Sequence, residues 1–319
     1  MKSLVNILLA GIMGISSDLA FENTNICAYR EEYHVTDLNR LRADLILEHK
    51  QLTNLFARLI IDNKSIAAEK PTTLQNTTKI YRSYLQYRGE KHFWSLGKQR
   101  IPLGVGRIWN PIDLFNPVNI QQIESDEREG SNSIRYEYAL NDLTNFDATV
   151  AKDKGAVRLK GYLDYVDIAL VGEWDNDKAL DIVGWELEGE LFNSGIELRS
   201  EGGLFHNRTD NRRYARYIIG AEYGFTNSLT LRAEYSRVGD RHRDYLGSQA
   251  SYQPGMLWRL SLLTVYGFDD RSGFIAPGVE YCVGDEVTLS GGAFLYYGGD
   301  NSEFGPMSNR YYLRWFIHF

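Results

Sequence analysis

Side chains of a β-strand point alternately to its two faces, and from about residue 26 onward this chain is written almost entirely in that period of two. In Leu229–Val238 one face carries Leu229, Leu231, Ala233 and Tyr235, and the other Thr230, Arg232, Glu234 and Ser236. Residues 39–49 split the same way, with Leu41, Ala43, Leu45 and Leu47 against Arg40, Arg42, Asp44 and Glu48. In residues 183–191, Trp185, Leu187 and Leu191 oppose Glu186, Glu188 and Glu190, and in residues 166–174 Ile168, Leu170 and Trp174 oppose Asp167 and Glu173. Amphipathic helical spacing never persists for three turns, so the chain reads as all-β.

About 18 such segments follow one another between short turn clusters. A soluble sandwich of that many strands needs further inward-facing apolar positions, whereas here the second face is rich in Arg, Glu and Asp throughout. A transmembrane antiparallel β-barrel, with lipid outside and water inside, accounts for both faces. It also accounts for a mean hydropathy of -0.36 in a chain that is 43% hydrophobic, because averaging the two faces hides the apolar one. Beyond the first 20 residues nothing approaches the roughly 18 to 20 consecutive apolar residues of a membrane helix. The predicted barrel has 18 strands if residues 26–34 form the first, and 16 otherwise. Much of the 13% aromatic content is expected on the outer face near the two interfaces, for example Tyr223, Tyr235, Tyr252, Trp258, Tyr281, Tyr297 and Trp315. The net charge of -7 lacks the basic excess of a nucleic-acid partner.

Met1 and Lys2 precede an apolar run over residues 4–15 and a small or polar stretch to Ala20, the layout of a signal peptide over residues 1–20, with the barrel over 21–319. Two distant cysteines, Cys27 and Cys282, make no disulfide framework. Connection lengths alternate: one set is short throughout, and the other holds every long connection, at 64–78, 102–132, 205–213 and 299–310. Counting back from Phe319, every second residue is apolar or aromatic (Phe319, Ile317, Trp315, Leu313, Tyr311), while Arg314 and His318 face the other way. This ending resembles the terminal β-signal of Gram-negative outer-membrane proteins. The resemblance implies insertion into that membrane's lipid by its barrel-assembly machinery.

Residues 92–119 read HFWSLGKQRIPLGVGRIWNPIDLFNPVN. The stretch resembles one found in large porin-like outer-membrane families, among them the alginate-export-type barrels, in which a G-x-Q-R-I strand end leads into a W-N-P-x-D-x-F-N-P loop. Gly97, Gln99, Arg100, Gly104, Gly106, Trp109, Asn110, Pro111, Asp113, Asn116 and Pro117 carry the match, which implies a porin-type barrel and leaves the solute open. Pro102, Pro111 and Pro117 exclude a central ladder, so the fifth strand ends near Ile101 and about 30 residues pass before the sixth. Large porins commonly fold this loop into the lumen as a constriction. Arg107, Asp113, Glu124, Asp126, Glu127 and Arg128 are then candidates to set its charge. The alternative is a loop that seals the mouth through Trp109 and Phe115.

By parity, Arg40, Arg42, Arg58, Arg82, Arg135, Arg158, Arg216, Arg232 and Arg314 point inward with Asp44, Asp62, Glu186, Glu188, Glu190, Glu201, Glu222, Glu234 and Glu280. Mixed signs around a wet pore suit a passive channel for small hydrophilic solutes, and a homotrimer is the assembly that analogy with porins suggests. The alternatives are an export channel for an acidic polysaccharide, a structural or assembly barrel, and, further off, an outer-membrane hydrolase. For hydrolysis, His92 and Ser95 lie three apart on one strand and hence on opposite faces, and no G-x-S-x-G or H-E-x-x-H occurs, so no enzyme is expected. No metal or cofactor is implied.

Overall fold

The computed structural model describes residues 15–30, 34–49, 54–68, 73–124 and 128–319. Eighteen strands follow one another along the chain: β1 (Ile15–Arg30), β2 (His34–His49), β3 (Leu55–Ala68), β4 (Thr73–Arg88), β5 (His92–Gln99), β6 (Ser131–Asn141), β7 (Thr144–Ala151), β8 (Lys154–Leu163), β9 (Val166–Asp175), β10 (Leu180–Glu190), β11 (Ile196–Asn207), β12 (Arg212–Gly224), β13 (Leu229–Val238), β14 (Arg243–Tyr252), β15 (Trp258–Gly267), β16 (Gly273–Gly284), β17 (Val287–Tyr297) and β18 (Arg310–His318). Each pairs antiparallel with its neighbours in the chain, and β1 pairs with β18 from Glu22↔His318 to Arg30↔Arg310. The sheet is therefore a closed barrel with no free edge, the condition for strands to cross lipid.

The alternation becomes two surfaces. On the outside, Leu96, Leu170, Val183, Leu204, Ile219 and Leu313 stand exposed as an apolar belt. On the inside the charged parity is buried: in β10, buried Glu186 lies between the half-buried Trp185 and Leu187. Aromatic pairs sit near strand ends on the outer wall, such as Trp258 with Tyr281 (ring centroids 4.5 Å apart) and Tyr223 with Phe225 (4.6 Å).

Two expectations about connections need correction. The segment 64–78 is not a long loop: β3 runs to Ala68, β4 starts at Thr73, and only 69–72 lie between them. Its polar residues continue the ladder, with the Asn63 amide donating to Asn76 (2.9 Å) and to the Thr78 hydroxyl (2.8 Å). Likewise β11 extends to Asn207 and β12 begins at Arg212, which reduces 205–213 to a four-residue turn. The first strand also differs in extent, beginning at Ile15 within the segment read as a leader and ending at Arg30. The long connections that remain are 100–130 and 298–309, both at the same end of the barrel. The turn at Lys50 and Gln51 lies outside the described residues.

Candidate permeation site

The connection from β5 to β6 enters the barrel and packs along its inner wall. Ile101, Leu103, Ile112, Leu114 and Phe115 form one buried cluster with Ala156 of β8, Val171 of β9, Leu180 and Ile182 of β10 and Phe205 of β11. Farther round, Trp109, Ile120 and Ile123 pack on a second cluster built on Tyr245, Val265, Phe274, Phe294 and Phe304. Gly104 adopts φ +82°, a conformation that L side chains rarely take, and a Cβ on Gly106 would lie 1.8 Å from the Trp109 carbonyl oxygen. The two glycines thus allow the chain to curl tightly where it meets the wall.

Buried backbone N–H groups need acceptors, and the wall supplies them. Six consecutive amides donate to three glutamates. Gly104 donates to Glu186 (2.8 Å), Val105 and Gly106 donate to Glu201 (2.7 and 2.8 Å), and Arg107, Ile108 and Trp109 donate to Glu234 (2.7, 2.8 and 3.1 Å). Ile112 adds a further bond to Glu201 at 3.3 Å. The loop is closed on itself by Asn116, whose Oδ1 accepts from the Ile101 N–H (2.8 Å) and whose Nδ2 donates to the Glu129 carbonyl (2.5 Å). Gln99 completes the strand exit, donating to the carbonyls of Ser95 (3.2 Å) and Ser133 (3.3 Å).

Asp113 is buried, its side chain 1% exposed, and accepts the N–H groups of Phe115 and Asn116 with Arg128 at 3.5 Å. Burial pushes its carboxyl up to about 6, against the lowering pull of those N–H groups and of Arg128. The carboxylate thus serves the interior of the loop rather than its surface. Arg107 is half exposed and reaches Glu188 (3.1 Å). Asp126 and Glu127 lie outside the described residues.

With residues 101–115 of the loop on the β8–β14 side and Ile120 and Ile123 crossing toward β15–β17, space remains beside β1–β4 and toward the short-turn end of β15–β18. At the end with the long connections lies a cavity of about 880 Å³, its basic lining including Arg30, Arg40, Lys64, Lys79, Arg128 and Arg310. At the short-turn end lies a second cavity of about 440 Å³, with Glu22, Arg259, Glu280, Ser290 and Arg314 in its lining. Both cavities are lined by Arg40, Ile123 and Glu124. Glu124 bridges there: its two oxygens accept from Arg40 at 2.8 and 3.0 Å, and Arg314 lies 3.7 Å away on the other side.

The sequence matches no family model and no curated protein. Solved structures do match. OccK5 (OpdH) of Pseudomonas aeruginosa superimposes with a TM-score of 0.66 at 9% identity, over 95% of this chain and 98% of that one. OmpF of Salmonella typhi gives 0.57 at 14% identity over 96% and 98%. A triple mutant of Rhodopseudomonas blastica porin gives 0.55 at 11% over 95% and 100%. This is a porin fold. At such identities the likeness is one of architecture, and within that architecture the connection after β5 lies inside the barrel against its inner wall.

Most inward charges are paired within the wall. Arg42 meets Asp62 (2.7 and 3.0 Å) and Arg58 meets Asp44 (2.9 and 2.5 Å). Arg135 meets Asp147 (2.8 and 2.5 Å), Arg216 meets Asp240 (2.8 and 2.7 Å), and Arg232 meets Glu222 (2.8 Å) and Gln249 (2.7 Å). Glu188 lies 3.6 Å from Arg199, and Glu190 accepts the Gly195 N–H in its own turn (2.7 Å). Besides Arg40, which holds Glu124, three wall arginines donate to loop carbonyls: Arg82 to that of Arg128 (3.2 Å), Arg158 to that of Pro102 (2.9 Å) and Arg310 to that of Gln121. Arg100 is exposed. His92 contacts the Tyr136 hydroxyl (2.9 Å) on the outer side, whereas Ser95 is buried. Sequence reasoning missed Asp147 and Arg199 as inward charges. Arg199 shares its parity with Glu197 and Glu201, which was signal enough to find it.

Proposed function

We propose that the chain is a passive outer-membrane channel for small hydrophilic solutes in a Gram-negative bacterium. The observation that carries this reading is the pair of charge-lined cavities toward opposite ends of the lumen, which share Arg40, Ile123 and Glu124 in their linings. No covalent step is required, since flux follows the gradient and the protein sets only radius and electrostatics. The Arg107, Glu124 and Arg128 side chains of the loop, with the wall charges facing them, set the field along that route.

On this reading residues 1–20 are the leader. The β1–β18 ladder that closes the barrel begins at Glu22, so a cut near Ala20 leaves it whole. Tyr311, Leu313, Trp315 and Ile317 on the outward face of β18, with Phe319 just after it, form the signal that the assembly machinery reads, and the mature barrel assembles as a trimer. Purified protein added to planar bilayers should give stepwise conductance of uniform size. Well-folded protein that leaves the membrane insulating would remove the channel reading.

A further inference from the structure

We propose that Arg208 and Arg213, on the lipid-facing side of the β11–β12 hairpin, bind the phosphate groups of a phosphorylated saccharolipid in the outer leaflet. The two rims of the barrel differ in their cations. At the long-connection end, the five turns between β7 and β16 each carry a lysine or an arginine: Lys152, Lys178, Arg208, Arg241 and Arg271. At the opposite end, the six turns from β6–β7 to β16–β17 carry neither residue type. Aspartates occur in turns of both rims, such as Asp153 and Asp210 at one and Asp164 and Asp285 at the other, so it is the cations that are sorted. Long connections mark the external rim, and a band of cations there suits a leaflet whose headgroups carry phosphate.

The β11–β12 hairpin gathers this charge on the lipid side. Arg213 pairs with His206 across the ladder and His206 with Asp181 of β10, and this row shares the outward parity of Leu204 and Ala215. Asp181 draws the group together: its Oδ2 lies 3.6 Å from Arg208 Nε and 3.8 Å from His206 Nδ1. Arg208 is anchored from behind, its Nη2 donating to the Asp175 carbonyl (3.1 Å) and to Asn176 Oδ1 (3.0 Å). Arg213 is exposed and has neither a hydrogen bond nor an ion pair among the described residues. Arg212 is offset by Asp210 at 4.0 Å. Two arginines therefore share one carboxylate, and a guanidinium fork is left to meet phosphate oxygens. Directly beneath, the next outward row is apolar: Val183 pairs with Leu204 and Leu204 with Ala215, and the first two are 70% and 65% exposed. Tyr217, one row further in, lies 6.3 Å from Tyr235 on the same face. Cations above an apolar wall fit a lipid, whose acyl chains lie along the wall while its phosphate meets the arginines. A free anion gains from the upper half alone.

Bisphosphorylated lipid A is a suitable probe, titrated into the full-length protein in detergent and counted by native mass spectrometry. Wild type is compared with Arg213→Gln, with Arg208→Gln combined with Arg213→Gln, and with Lys91→Gln in a short-end turn. Each is verified as a barrel by its heat-modifiable migration in gels. Wild type should bind saturably. Losing one arginine should weaken binding about fivefold and losing both about thirtyfold, with Lys91→Gln unchanged. Lipid A stripped of its phosphates should bind wild type as weakly as the double variant binds the phosphorylated lipid. Equal binding of the two lipids by wild type, or a double variant that binds as wild type does, would overturn the site. Inorganic phosphate held as tightly as lipid A would overturn the lipid as its occupant. Conductance enters none of these measurements, so the site stands or falls separately from the channel reading.

Discussion

At the scale of residues, the unusual feature is three wall carboxylates serving as acceptors for seven loop amides. Glu234 alone takes three consecutive N–H groups, so Glu234→Ala leaves Arg107, Ile108 and Trp109 without acceptors. A buried donor left unsatisfied costs about 1–3 kcal/mol, enough to undock this segment while the ladders of the barrel persist. Trypsin should then cut after Arg107 much faster than in wild type, with gel migration of the unheated barrel unchanged. Asp113 makes the docking pH-dependent. Its carboxyl is raised to about 6 from 3.8 because burial disfavours the charge, so the docked loop binds the proton more tightly than the undocked one. The Asp113 contribution to docking is therefore fully present below about pH 4 and is lost as pH rises through 6, by on the order of 2–3 kcal/mol at most. Asp113→Asn keeps Oδ1 as acceptor for Phe115 and Asn116 and removes the titrating proton. The difference in tryptic protection between pH 5 and pH 7.5 should shrink in that variant, and an undiminished difference would assign the pH effect to other groups.

At the scale of elements, the strands were legible and the partners of the loop were not. Alternation at positions such as Leu229, Leu231 and Ala233 is a local signal, readable within ten residues, and it located β13 at its observed bounds. The same signal faded over 64–78, because Asn63, Ser65, Asn76 and Thr78 on the outer face carry no apolar mark, although their backbones stay paired. The prolines and glycines of 102–117 showed that this stretch leaves the sheet. They did not show where it docks, since Glu186, Glu201 and Glu234 lie 82 to 127 residues away in sequence from the amides they hold. The W-N-P-x-D-x-F-N-P residues now have a physical meaning as the loop's own framework. Asn116 ties its entry at Ile101 to its exit at Glu129. Asn116→Ala removes both bonds and should leave the barrel folded with a noisier current, read as more frequent partial closures in single-channel records. An equally quiet trace would mean that the two apolar clusters alone fix the loop.

At the scale of the molecule, one ladder decides whether the other seventeen strands make a stable object. β1 is bonded to β2 along its whole length, but it pairs with β18 from Glu22 to Arg30, with Phe21 and Phe319 exchanging backbone bonds just beyond. Residues 15–20 therefore contribute to one hairpin and nothing to closure, whereas 22–30 bring together the two ends of the sheet. In lipid an open edge is not tolerated, because each unpaired backbone group costs several kcal/mol with no water to replace its partner. Two variants separate these roles. A chain beginning at Phe21 should refold in detergent to a barrel that migrates differently before and after heating and melts close to the full-length protein. A chain beginning at His34 loses β1 entirely. It leaves β2 and β18 as facing edges whose mutual register nothing in the native sheet provides. It should aggregate or remain sensitive to protease at all temperatures. Should the shorter chain close into an equally heat-resistant barrel, closure would follow from the general tendency of the strands to pair, and the Glu22–Arg30 register would lose its special standing.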